Sequence, residues 1–113
     1  MESLKRRAAF KAVAAGRRIA RSGFVLQALT RQAEGDNMQP RFGFTVTRKV
    51  GNAVVRNRIR RRLREAVKRA AGHAAKATDY VIVARHTALT LQFERLVTDL
   101  SSGFELLARQ DTK

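Results

Sequence analysis

The feature that most constrains this chain is a segment of split character, Arg48 to Lys68, in which apolar residues recur at helical spacing and most other positions are arginine. Taken as a helix opening near Asn52, it aligns Val55, Ile59, Leu63, Ala66, Val67 and Ala70 on one stripe, the pattern of a helix lying on a core. Asn57, Arg61, Arg64 and Lys68 fall on the opposite face, with Arg58 and Arg60 beside them. From Arg56 to Arg69 there are eight bases against one acid, Glu65. Solvated helix faces normally mix signs, and like charges one turn apart cost about 0.2–0.5 kcal/mol each. A strip this one-signed is relieved by an anionic partner. Seven of the eight bases are Arg, whose planar fork matches phosphate better than the point charge of Lys.

The rest of the charge supports a polyanion. The 113 residues carry a net +15, and all of it lies in residues 1–71, because residues 72–113 balance five bases with five acids. The partner therefore meets the first two-thirds of the chain, and nucleic acid is the expected partner over a solvated or protein-binding face. At this length one domain over 1–113 with a single modest core is expected. With no cysteine there is no disulfide framework, thiolate zinc site or Cys nucleophile. No uncharged run reaches the roughly 20 residues of a membrane-spanning helix, and the basic start lacks a secretory apolar region. The expectation is a cytoplasmic protein with no membrane role.

In chain order, Ser3 is a candidate N-cap for a short basic helix bearing Leu4, Phe10 and Val13 and stopping at Gly16. A short extended piece from Gly16 to Gly23 leads to a strand at Phe24 to Thr30, apolar on both sides except at Gln27 and so largely buried. Arg31 to Pro40 gathers Glu34, Gly35, Asp36 and Asn37 in a polar connecting loop. From Arg41 to Thr47 the residues alternate, with Phe42, Phe44 and Val46 on one face and Gly43, Thr45 and Thr47 on the other. That small-residue face leaves room for a ligand to lie flat on the sheet. Gly51 and Asn52 provide a turn and N-cap for the basic helix, and Gly72 closes it. Asp79 to Ala84 reads as a strand covered on both faces, and a helix from about Thr90 to Ala108 completes the cover. The order is helix, strands, helix, strand, helix in a small α/β domain. Its strand-helix-strand unit is expected, by the general rule, to be right-handed.

Catalytic motifs are missing. His73 and His86 show no metal-ligand spacing, no pair of acids has it, and no Walker A, GxGxxG or GxSxG element occurs. No residue is singled out as catalytic or as a metal ligand.

The run from Thr45 to Arg64, with Lys49-Val50-Gly51-Asn52-Ala53-Val54 leading into Arg56-Asn57-Arg58, closely resembles the signature of the bacterial ribonuclease P protein subunit. The resemblance extends to Phe10, the strand at Phe24, the strand from Asp79 to Arg85 and the closing helix. It implies a left-handed crossover, as in the second domain of ribosomal protein S5, against the general rule. It also implies a protein that assists a catalytic RNA, with magnesium held mainly by that RNA, in removing the 5′ leader of precursor tRNA. RNA-binding residues would be Lys49, Gly51, Asn52, Arg56, Asn57, Arg58, Arg61 and Arg64, and the cationic face adds Arg48, Arg60 and Lys68. A cleft between the first helix and the sheet would hold the single-stranded leader through Phe10, Lys11, Gln27, Thr45 and Thr47. Two cleft positions depart from the family pattern, Ala14 and Gln27 standing where relatives have aromatics. Phe10 reads equally as a core residue. The alternatives are a ribosome-associated RNA-binding protein of similar fold with no role in cleavage and, less favoured, a helix-turn-helix DNA-binding protein. DNA is not expected, because strands precede the basic helix where a supporting helix should stand.

Overall fold

A seven-residue strand with no polar interruption after its first two positions needs cover on both faces and a partner on both edges, and that requirement organises the sheet. In the computed structural model, which describes residues 1–31 and 38–111, the elements are β1 (Glu2–Ser3), α1 (Arg7–Ala14), β2 (Arg17–Ala20), β3 (Phe24–Thr30), β4 (Arg41–Thr45), α2 (Ala53–Ala70), β5 (Thr78–Ala84) and α3 (Phe93–Asp111). The sheet runs β1-β4-β5-β3-β2, with β5 at its centre. Strand β5 pairs antiparallel with β3, from Phe24 opposite Ala84 to Thr30 opposite Thr78, and parallel with β4, from Arg41 beside Asp79 to Thr45 beside Val83.

Alternation along these strands sorts the side chains onto two layers. Phe24, Leu26, Ala28, Phe42, Tyr80 and Ile82 meet Ile59, Leu63 and Val67 of α2 and Leu96, Leu100 and Phe104 of α3 in the larger core. Its centre is aromatic: Phe42 stacks on Tyr80 at 5.6 Å between ring centroids, and Phe104 meets Tyr80 edge-on at 4.8 Å. The Tyr80 hydroxyl accepts from the Ala75 amide, so its polar end is satisfied. On the other face α1 lays Phe10 and Val13 beside Leu4 and Val81 in a second, smaller cluster.

The crossover from β4 through α2 to β5 is left-handed. Phe42 turns its side chain toward α2 and gives its carbonyl to the Leu4 amide on the β1 side, at 2.8 Å. In a strand of L-residues that combination fixes the neighbours. Seen from the α2 side with β4 and β5 running upward, β1 lies right of β4 and β5 lies left, so the chain moves leftward with its helix in front. The right-handed expectation is thus overturned and the one implied by the resemblance holds. The reason lies in β5, whose apolar run belongs at the centre of the sheet and takes the place between β3 and β4.

Several expected boundaries move. Ser3 is not an N-cap: it pairs with Phe42 in β1, and α1 opens after Arg6 without a side-chain cap. The ladder with β4 and the burial of Leu4 outweigh a capping hydroxyl. Strand β4 ends at Thr45, because the chain turns into a single 3-10 turn at Arg48–Val50 that buries Val50. Another 3-10 turn, Ala71–His73, follows α2 and contains Gly72. A third, His86–Leu89, delays the last helix to Phe93. The expected room over the small-residue face is partly taken, since a Cβ at Gly43 would come within 2.4 Å of the Phe10 ring. Glu34, Gly35, Asp36 and Asn37 lie outside the described residues.

Among the described residues one carboxylate is buried in the sheet, and it is answered by arginines. Asp79, 5% exposed, accepts two hydrogen bonds from Arg41, at 2.8 and 2.7 Å, and one from Arg31 at 3.0 Å. The hydrogen bond to Asp79 outweighs desolvation and holds the Arg41 guanidinium above its ordinary pKa. Asp79→Ala leaves both arginines without this acceptor, but each side chain keeps some exposure, so the cost falls below the 3–5 kcal/mol of a fully buried pair. A loss of about 1–3 kcal/mol in denaturant unfolding is expected, and an unchanged midpoint would remove this pair from the forces holding β4 to β5.

Candidate RNA-binding surface

The basic helix is set in place by its first turn. Asn52 accepts from the Val55 amide at 3.0 Å, an N-cap that satisfies one of the free donors. Gly51 sits at φ 150°, where a Cβ would lie 2.7 Å from the Val55 side chain, so no other residue fits this entry. Ile59, Leu63, Ala66, Val67 and Ala70 are buried, and Val55 is half-buried against the same core.

The bases of α2 separate into two groups. Arg62 donates from Nε to the Ala88 carbonyl at 3.0 Å and from its other nitrogen to the Leu91 carbonyl, tying α2 to the chain ahead of α3. Arg69 pairs with Glu94 at 3.0 Å and lies over the Phe93 ring. These two hold structure. Arg58 and Arg61 are exposed and, with Val54 and Asn57, line a shallow depression of about 300 Å³. Arg60 donates to the Asn57 amide oxygen at 3.2 Å, Lys68 pairs with Glu65 at 3.2 Å, and Arg64 lies over the Phe44 ring at 5.7 Å. Arg56 is half-buried, and its Nε is the one buried side-chain polar atom among the described residues without a hydrogen-bond partner. Arg48 and Lys49 stand exposed on the turn before the helix. The sequence-predicted cationic residues therefore do share one surface.

The second predicted group lies on the opposite face of the sheet. Register aligns Thr45, Val83 and Val25 in a row of half-buried residues beyond the cover of α1. Phe10 is half-buried at the edge of this strip, packed on Gly43 and the smaller cluster, so it is both a packing residue and a partly open ring. Lys11 is exposed on α1, and Thr47 is exposed past the end of β4. Gln27 lies one row inward and is only 8% exposed, so it belongs to the floor under α1 more than to the open strip. Arg85, which the sequence reading left out of the site, is exposed and extended two residues after Val83, on the same face. A base directly after an apolar strand whose parallel neighbour ends at the same level was the available signal. The two groups meet at the end of β4, where Thr45 and Thr47 run into Arg48 and Lys49.

Neither histidine enters these surfaces as a ligand: His73 pairs with Glu105 at 2.7 Å, and His86 is exposed at the start of its 3-10 turn.

The family model Ribonuclease P matches residues 1–108. A relative from Brucella suis, a ribonuclease P protein component, is 48% identical over 106 residues, covering 87% of this chain and 74% of its own. A second, from Paramagnetospirillum magneticum and of the same name, is 47% identical over 110 residues, covering 93% and 81%. The solved Staphylococcus aureus RNase P protein superposes with a TM-score of 0.76 at 27% identity, covering 95% of each chain. The Thermotoga maritima protein, with a TM-score of 0.77 at 24% identity over 94% of this chain and 97% of that one, supports the fold.

The division of the arginines is open to a direct check. Arg62→Ala strips donors from two carbonyls and is expected to lower unfolding stability by about 1–3 kcal/mol, whereas Arg61→Ala, at an exposed position, stays within about 0.5 kcal/mol. Equal melting of the two variants would erase the distinction.

Proposed function

This chain belongs to the ribonuclease P protein family, a component of the ribonucleoprotein endoribonuclease of tRNA processing, and from that premise we propose how its two surfaces divide the work. The α2 surface, Arg48, Lys49, Gly51, Asn52, Arg56, Asn57, Arg58, Arg60, Arg61, Arg64 and Lys68, binds the ribonuclease P RNA. The open strip, with Phe10, Lys11, Thr45 and Thr47 over a floor that includes Gln27, receives the single-stranded 5′ leader of precursor tRNA, and Arg85 extends it. What supports this most is the outward face of α2, where Arg58, Arg61 and Arg64 have no carboxylate partner among the described residues. None of the matches described favours the ribosome-associated alternative.

The chain's own contribution is to bind and orient. Guanidinium groups on a rigid helix meet phosphates without reorganising, and each neutralised phosphate releases counterions. The strip on the other face is lined by half-buried apolar and hydroxyl side chains, suited to unstacked nucleotides. No three His, Cys, Asp or Glu residues come together to hold a metal among the described residues. The surface is cationic and does not fit magnesium, so magnesium in this reading belongs to the RNA, which also carries the catalysis. No helix among the described residues is long and apolar enough to cross a membrane, and we place the assembly in the cytoplasm.

Reconstitution with a ribonuclease P RNA and precursor tRNA at low magnesium is expected to show protein-dependent cleavage, and the protein alone is expected to cleave nothing. Binding to the RNA should weaken steeply with salt, and Arg58→Ala or Arg61→Ala should each lower the log–log salt slope by about 1. An unchanged slope would take this face off the phosphates.

Leader binding makes a separate prediction. Phe10→Ala should weaken precursor tRNA binding by about 1–3 kcal/mol, the usual loss for one stacked base, and leave mature tRNA nearly untouched. Because Phe10 also packs on Gly43, thermal stability is measured on the same variant. A destabilised protein with no leader-dependent loss would assign Phe10 to packing alone.

A further inference from the structure

The edge of the sheet beneath α2 carries an aromatic ring that the core does not fully use. Phe44 is half-buried and packs against the larger core. Above it lies the Arg64 guanidinium at 5.7 Å, and Arg64 has no carboxylate partner among the described residues. Strand β1 covers only Arg41 and Phe42, with one more bond from the Leu4 amide to the Phe42 carbonyl, so among the described residues β4 beyond Phe42 has no strand partner on that side. One helical turn on from Arg64, Lys68 lines a cavity of about 310 Å³ together with Phe42, Ala71, Ala74 and the first residues of the chain.

We propose that Phe44 and Arg64 form a nucleobase site, in which the exposed Arg64 guanidinium swings off the ring it now covers and one unpaired base of the ribonuclease P RNA stacks on Phe44 with Arg64 closing over it. A flat ring, a flat cation and an open backbone edge are the elements with which single-stranded RNA is held, the first two by stacking and the third by hydrogen bonds to the base edge. The RNA subunit is the source because Arg64 belongs to the α2 face, while the strip for the leader lies on the opposite side of the sheet. This rests on the functional reading above and adds a stacking contact to a surface otherwise described by phosphate charge.

The two kinds of contact differ in their salt response. Phe44→Leu keeps an apolar side chain against the core and removes the ring, so the melting temperature should hardly move while affinity for the ribonuclease P RNA falls about 5- to 150-fold with the salt slope unchanged. Arg64→Ala should lower both affinity and slope. The chain contains no tryptophan, so Phe44→Trp introduces a single reporter, expected to retain affinity and to have its fluorescence quenched by the ribonuclease P RNA but not by precursor tRNA alone. Full affinity in Phe44→Leu, or no quenching of Phe44→Trp by an RNA that binds it, would overturn the base site and leave the pair as packing. Quenching by precursor tRNA alone would overturn the assignment to the RNA subunit. If the unaltered protein bound no ribonuclease P RNA, the functional reading itself would fail, a result separable from the others.

Discussion

Burial of the α2 stripe is the interaction on which the remainder depends. Ile59, Leu63, Ala66, Val67 and Ala70 are all inaccessible to solvent, and a fully buried large aliphatic side chain is worth about 1.5–3 kcal/mol. Against this, the crowding of arginines on the outer face costs about 0.2–0.5 kcal/mol per like-charged pair. The core term wins, and the helix holds its arginines together in the protein on its own. Pre-organisation of this kind means that the cost of gathering positive charge is met during folding, so binding does not bear it again.

The sheet gives that helix its position and divides the two surfaces. Because β5 takes the slot between β3 and β4, α2 and α3 cover one face and α1 the other, and the short α1 leaves the Thr45, Val83 and Val25 row half open. Both parallel strands point toward the same end, so Thr47, Arg48, Lys49 and Arg85 collect at one rim. The cationic α2 surface and the half-open strip thus share a border without sharing a face. The Asp79 cluster secures the opposite end, where Arg31 and Arg41 join β3, β4 and β5.

Charge counting alone treats the arginines of α2 as one group, and the contacts do not. Arg62 and Arg69 are spent on carbonyls, Glu94 and Phe93, whereas Arg58 and Arg61 line an exposed depression and Arg64 covers an aromatic ring. Helical phase explains the split, since Arg62 and Arg69 are seven residues apart and lie on the flank facing α3. The other flank looks over the bare edge of β4.

The sequence by itself determined the elements, the buried stripe, the capped entry at Gly51 and Asn52 and the cationic character of α2, because each follows from local periodicity, backbone demand or charge density. The Arg-Asn-Arg signature also pointed to the family that the comparisons show. Tertiary structure decided what depends on contacts between distant residues. It drew Ser3 into a strand with Phe42, laid Phe10 over Gly43 in space that looked free, and set Gln27 in the floor under α1. It made the crossover left-handed, since handedness depends on which slot β5 enters and not on any residue within the connection. It also separated Arg62 from Arg61, neighbours of identical chemistry whose roles differ because a helix turns about 100° between them.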